Sequence, residues 1–414
     1  MNRRDFIHTL GASGLAVLLP DTFAAVTPDP STLGAPSMQD LLPTQSRAAY
    51  HELIAIMQEL DSQYLSPARR IASVTDVSDG HRQLLHHLQL ALSIVLEADP
   101  ERPTFRRTTT PTMKFLGDNP DAIYYTAFIR PDRNYRIRGN IAGADFTSFS
   151  LERGGADGHP SKGVTRVIED HQLAIAADGS YEFHIGPEAR GPGGFQLDAD
   201  TGSIQTRHFF EREQPVAADP NIVIPLLIEP LDAPGPRPAP DDGSIAAGIR
   251  HAATFLRETT LGMQMMQPGK VPSWVSLVPN QFNPARIPDD DIGFANRSAA
   301  YAMAPYFLAP DQALVIEGRF PRCRFANLML WNRFLQTYDF ETHTISRNRK
   351  TTTLLADGRF RMVVAHRDPG VPNWLDTQGR PSGLMYWRFL LPQEAVAPLE
   401  TRVMKLDEVK ALGA

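Results

Sequence analysis

The hydrophobic positions follow a helical period first and a two-residue period afterwards. Residues 46–60 and 80–96 carry apolar side chains at helical spacing; in the second these are Leu84, Leu85, Leu88, Leu92, Val95 and Leu96, with Ser78 or Asp79 as N-cap. From about Phe105 the pattern breaks into short runs at 122–129, 135–141, 145–151, 180–185, 203–210 and 222–228. Glycines and Asp-Gly or Asn-Pro pairs between the runs mark antiparallel strands. Five prolines then interrupt residues 229–243, the best internal boundary. A helix over 244–260 follows, with Ile245, Ile249, Ala253 and Leu256 on one face, and strand patterning returns at 313–317, 322–330, 351–355, 359–365 and 384–391.

The two strand-rich halves overlay. A shift of 179 residues pairs Ile137-x-Gly139 with Ile316-x-Gly318, Phe146 with Phe325, Leu151 with Leu330, and Ala177-Asp178-Gly179 with Ala356-Asp357-Gly358. Tyr181 and Phe360 follow that turn, and one residue less pairs Leu197-Asp198 with Leu375-Asp376. A duplicated β unit keeps such turns. The expected fold is therefore mainly β with accessory helices: two similar β-sandwich or jelly-roll-like modules, each preceded by helix. The boundaries are a helical segment at 41–100, a first module at 101–228, a linker at 229–243, a helix at 244–262 and a second module at 263–414.

The first 25 residues have another character. Arg3-Arg4, Phe6 and a weakly apolar, glycine-containing stretch from Thr9 to Leu19 are features of a twin-arginine export signal, with cleavage near Ala24 or Ala25 and a Pro/Ser/Thr-rich linker over 26–40. The twin-arginine translocation machinery is then a partner, and the destination is the periplasm or the exterior. The apolar run is too short to span a bilayer comfortably, so no stable span is expected after cleavage. Lys+Arg 41 against Asp+Glu 47 gives a net charge of -6, which offers a nucleic-acid backbone no electrostatic footprint. The lone cysteine, Cys323, rules out a disulfide framework, a multi-cysteine zinc site and an iron–sulfur cluster. No motif designates a cofactor or a metal. Asp289-Asp290-Asp291 lacks the spacing of a calcium loop and reads as a solvated acidic turn.

Candidate chemistry concentrates in two stretches. In the first, Phe360, Met362, Val364 and His366 share one strand face, and Pro369-Gly370 turns the chain so that Asn373, Trp374 and Asp376 can fold back. His366 with Asp368 or Asp376 could act as an acid–base pair, and Arg367 could fix an anionic group. The alternative is a structural loop tied down by its own polar residues. In the second stretch Arg322 and Arg324 share a face opposite Cys323, whose thiol is expected to pack rather than react, and Trp331-Asn332 follow.

These stretches also carry a resemblance. Gly318-Arg319-Phe320-Pro321-x-Cys323 with Leu330-Trp331-Asn332, His366 through Gly370 with Asn373 through Asp376, and Gly117 through Asp121 with Tyr124-Tyr125 resemble the bacterial family of unknown function numbered 1214. The resemblance spans roughly Phe105 to Leu406. It implies a β-sandwich or jelly-roll architecture, sometimes paired with the related family numbered 1254, and no established activity. The functional expectation is an exported protein that binds a small or oligomeric organic ligand, a sugar or carboxylated compound, near the His366 loop. His366, Asp368 and Asp376 are the candidate catalytic residues. Arg367, Asn373, Trp374, Arg322, Arg324, Trp331 and Asn332 are the candidate ligand contacts, with Trp331, Trp374 and Trp387 offering flat apolar faces. The rivals are a hydrolase or lyase, with or without a metal, and a structural or assembly protein.

Overall fold

The computed structural model describes residues 43–232, 234–263, 271–288 and 297–412; the expected export signal and residues Asp289–Asp291 lie outside them. Helix α1 (Gln45–Glu59) starts where the Thr44 side chain accepts the Arg47 N–H. Helix α2 (Val74–Ala91) is capped by Ser73, earlier than the expected Ser78 or Asp79. Gly80, which looked like a helix entrance, sits inside α2 because Leu65 and Phe334 press on it: a Cβ there would meet Leu65 Cδ2 at 2.3 Å. Helix α3 (Asp242–Glu258), behind the Pro-rich linker, is capped by Asp241. Its Ala253 and Leu256 pack on Leu53 and Leu60, so the three helices gather into one layer. The buried face of α3 includes Ala246 and Ala252, while Ile245 is exposed. Among the described residues no helix is long and apolar enough to cross a membrane.

The first module contains β1 (Arg106–Arg107), β2 (Ala122–Phe128), β3 (Tyr135–Asn140), β4 (Phe146–Arg153), β5 (Val164–Glu169), β6 (Ser180–Gly186), β7 (Gly194–Gln196), β8 (Thr201–Phe209) and β9 (Leu226–Pro230). A sheet ordered β1-β2-β8-β4-β5 faces one ordered β7-β6-β3-β9. Ile137, Phe149, Leu151, Phe183, Ile185 and Ile204 fill the space between them. The second module contains β10 (Ala299–Phe307), β11 (Gln312–Gly318), β12 (Phe325–Trp331), β13 (Ser346–Asn348), β14 (Phe360–Ala365), β15 (Trp374–Asp376), β16 (Ser382–Leu390) and β17 (Glu400–Lys405), followed by the short helix α4 (Leu406–Val409). Its sheets are ordered β10-β16-β12-β13 and β15-β14-β11-β17.

Replacing β2–β9 by β10–β17 in turn converts the first pair of sheet orders into the second, apart from the added edge strand β1. Even the parallel pairing of β6 with β7 recurs in β14 with β15. The modules are therefore structural duplicates. The parallel registers match Phe195, not Leu197, to Leu375, so the sequence overlay was two residues out at that strand. The largest core cluster joins Ala122, Tyr124, Phe146 and Phe209 of the first module to Phe325, Trp331, Tyr386 and Phe389 of the second. The five-stranded sheet thus lies against the β10–β16–β12–β13 sheet.

Candidate functional site

His366 follows β14 directly. Its Nδ1 lies 2.6 Å from Thr377 Oγ1 and its Nε2 3.2 Å from the Leu308 carbonyl, so both ring nitrogens are occupied. Asp376 does not reach it. The register places Asp376 beside Ala365, and consecutive residues leave a strand on opposite faces. Asp376 instead sits 2.7 Å from His343 Nδ1 and accepts the Gln378 N–H. Asp368 is exposed and accepts the Gly370 N–H, and Arg367 points to solvent. Asn373, at φ +60°, exchanges hydrogen bonds with the Thr353 backbone and donates to the Arg361 carbonyl. Trp374 Nε1 donates to the Ala365 carbonyl. The loop is tied down by its own polar residues, and the expected His–Asp pair is not formed.

The second stretch is equally committed. Arg322 is exposed beside Glu394, and Arg324 donates to the Asp145 carbonyl and to Asp170. Cys323 is half-buried, its pKa pushed up to about 11 by burial against the opposing pull of Arg349, so the thiol packs. Trp331 is buried, stacked on Tyr386 at 4.2 Å with Nε1 donating to the Asp118 carbonyl. Asn332 is a buried cap that accepts the Phe334 and Gln336 N–H groups. Trp387 is fully buried between Phe360 and Phe389. The candidates are thus distributed over β12 and the residues before it, the β14–β15 loop and β16.

A different constellation lies where the modules meet. Tyr124 on β2 and Arg207 on β8 are direct cross-strand neighbours, and so are Tyr301 on β10 and Arg388 on β16. Matching the registers of the two modules makes these pairs duplicates of each other, because Ala122 and Ala299 occupy the same place at the strand starts. Both pairs line one cavity of about 40 Å³, together with Gln205, Phe209 and the Thr108–Asp118 segment. Arg207 is 4% exposed and donates to Ser150 Oγ at 2.5 Å and Gln205 Oε1 at 2.6 Å. Arg388 is 7% exposed, with its guanidinium 5.3 Å from the Tyr386 ring centroid and 5.4 Å from that of Phe209. It approaches the Tyr124 hydroxyl at 3.4 Å.

The surroundings of Arg388 set this cavity apart. Among the described residues no carboxylate is paired with Arg388; its partners are phenols. Burial pushes the Tyr386 hydroxyl well above its ordinary range and raises that of Tyr124 against the opposing pull of Arg388 and Arg207. Tyr124 and Tyr386 therefore stay protonated at neutral pH and supply dipoles, not charge. A guanidinium does not deprotonate, so its buried charge is faced at close range by rings and hydroxyls, with Asp121 attracting it from further off, an expensive arrangement. Two other cavities have a different lining. One of about 210 Å³ is lined by Glu97, Asp99, Arg102, Arg106 and Arg237, where acids and arginines pair with one another. One of about 120 Å³ is mainly apolar and bordered by Val371, Pro372 and Asn373 of the His366 loop.

Buried polar groups fix the cavity wall. Lys114 Nζ donates to the Thr337 and Tyr338 carbonyls, and burial pulls its pKa down to about 8. Asp118 accepts the Thr337 N–H and hydroxyl, and burial raises its pKa. Sequence reasoning selected neither arginine. The offset from Tyr124 to Tyr301 is two shorter, and from Arg207 to Arg388 two longer, than the gap-free shift of 179, so the overlay slid past both pairs.

The architecture has solved counterparts. An uncharacterised protein from Burkholderia cenocepacia matches with a TM-score of 0.71 and 26% identity, over 86% of this chain and 97% of that one. The VPA0106 protein from Vibrio parahaemolyticus matches more distantly, at 0.45 and 11% identity over 78% and 97%. No family model matches the chain, and no curated protein does.

Proposed function

We propose that the protein binds a small carboxylated compound between its two β modules, and that it is exported by the twin-arginine route to do so outside the cytoplasm. The observation that carries this reading is Arg388: a buried guanidinium at a cavity wall, faced by three tyrosines and paired with no carboxylate among the described residues. An incoming carboxylate supplies the missing charge through charge-assisted hydrogen bonds, and the phenols add neutral donors. The resemblance of its motifs to the family numbered 1214 adds no reaction to this reading.

Thermal unfolding of the exported chain with carboxylates and with neutral monosaccharides tests the reading. Carboxylates raise Tm, neutral sugars do not, and Arg388→Met removes the effect while His366→Ala retains it. Stabilisation by a neutral sugar, undiminished in Arg388→Met, would return the site to the polyol class. The acid–base reading has one support, the His343–Asp376 pair at 2.7 Å with the His343 side chain 42% exposed. No described cavity is lined by it.

A further inference from the structure

The added strand β1 has no counterpart in the second module, and the segment running on from it walls the cavity at the module junction. There the Thr108 N–H donates to the Tyr124 carbonyl, which holds the chain against β2 and sets Thr108 and Thr109 into the lining. Thr109 is only 7% exposed, and among the described residues its Oγ1 has no hydrogen-bond partner. A buried hydroxyl left unpaired is costly, and at a cavity wall a ligand can supply the partner that the fold does not. The two arginines of the lining are also unlike. Arg207 is held by Ser150 and Gln205, whereas Arg388 meets rings and the Tyr124 hydroxyl. Duplication thus supplied the arginines, and the unduplicated segment makes the site unequal-ended: a guanidinium on one side, a neutral hydroxyl on the other.

We infer that the ligand is a short 2-hydroxy acid whose carboxylate is taken by Arg388 and whose hydroxyl pairs with Thr109 Oγ1. This rests on the carboxylate-binding reading and narrows it to a substrate class. Charge selects the second group. Asp118 lines the same cavity, both of its carboxylate oxygens accept from Thr337, and its charge opposes a second anionic end. An ammonium in place of the hydroxyl would join two guanidinium groups in one lining and be repelled by them. A hydroxyl avoids both penalties, and as donor and acceptor it matches a threonine hydroxyl in either sense. The volume of about 40 Å³ accepts about three waters, which admits an acid of two or three carbons.

The test is isothermal titration of the exported chain with glycolate, propionate and glycine, which share their size and carboxylate and differ in a hydroxyl, a methyl or an ammonium. Glycolate binds about threefold to tenfold tighter than propionate, the return on one hydrogen bond. Thr109→Val keeps the side-chain shape and lowers glycolate to the propionate level, and Thr109→Ser restores the preference. Because Thr109 Oγ1 has no partner among the described residues, the valine variant folds with a Tm no lower than wild type. A lower Tm would show the hydroxyl already paired within the protein and overturn the inference. Equal affinity for glycolate and propionate, or a glycolate preference that persists in Thr109→Val, overturns it and leaves the carboxylate reading standing. Glycine binding tighter than glycolate overturns it in favour of an amino acid. Glycolate binding undiminished in Arg388→Met, or absence of binding by all three, removes the carboxylate reading as well.

Discussion

At the scale of single residues, Asp121 shows how the modules are held together. Its two carboxylate oxygens accept Asn348 Nδ2 at 3.2 Å and Asn327 Nδ2 at 2.9 Å, both from the second module. The duplicate contact, Ser298 Oγ to Glu169, runs the opposite way across the same interface. Burial pushes the Asp121 pKa up to about 7, against the hydrogen bonds from Asn327 and Asn348. Its folded pKa therefore lies above its unfolded one, the native state holds the proton longer, and the contribution of Asp121 to stability is lost as pH rises from about 4 to 7. Asp121→Asn removes that titration but turns an amide donor toward the donors of Asn327 and Asn348. The variant should be less stable than wild type at pH 4.5 by about 1–3 kcal/mol. The deficit should shrink toward pH 7.5. Urea midpoints at the two pH values check this, and a deficit independent of pH would show that Asp121 ionises normally.

At the scale of elements, the clearest sequence signal has a packing cause. The repeated Ile-x-Gly and the aromatic after the repeated Asp-Gly turn meet in register: Gly139 opposite Tyr181, and Gly318 opposite Phe360. In each module the aromatic side chain lies over the glycine, and an added Cβ would come within 2.3 Å of Tyr181 Oη or 2.7 Å of Phe360 Cζ. Gly139→Ala and Gly318→Ala should therefore each lower stability by about 1–3 kcal/mol through overpacking. Gly155→Ala, where a Cβ meets nothing within 4 Å, should stay within about 0.5 kcal/mol. Equal effects of all three in chemical denaturation would deny the aromatic–glycine contact its role. The long alternating strands were legible for the same reason, since one face of each meets a core. The strands β7, β13 and β15 have three residues each, too few to show a period. Strand β10 hides because Ala299, Ala300, Ala302 and Ala304 are buried on both of its faces, and its Pro305 is tolerated because β10 is an edge strand. Residues 351–355 read as a strand but are a threonine-rich turn, in which Thr351 and Thr352 bond Asn348 and Thr353 bonds Asn373. The site itself was illegible in a single chain, because it exists only where two modules, distant in sequence, bring their strand faces together.

At the scale of the whole molecule, buried histidines make each layer sensitive to acid. His208 in the first sandwich lies between Thr147 and Thr206, and burial pulls its pKa down to about 3. His87, which ties α2 to Thr259 just beyond α3, is held at about 3 by burial, and the neighbouring His86 at about 4 by burial with Arg82 and Lys114. These groups are neutral in the native state and take up a proton on unfolding below about pH 6.5, so their contribution is complete above that pH and is lost as pH falls toward 4. Asp121 and Asp118 act in the opposite sense, because their raised pKa values make the native state the better proton acceptor in the same window. Three histidines against two acids leave the unfolded state binding roughly one to two extra protons near pH 5, equivalent to roughly 1.5–3 kcal/mol per pH unit. Thermal unfolding should therefore show Tm falling between pH 6.5 and 5. His208→Gln should flatten the fall by about one proton, and Asp121→Asn should steepen it by about the same amount. The opposite signs make the pair diagnostic. Parallel profiles for wild type and both variants would mean that the acid sensitivity arises at the surface carboxylates and not in the interior of the layers.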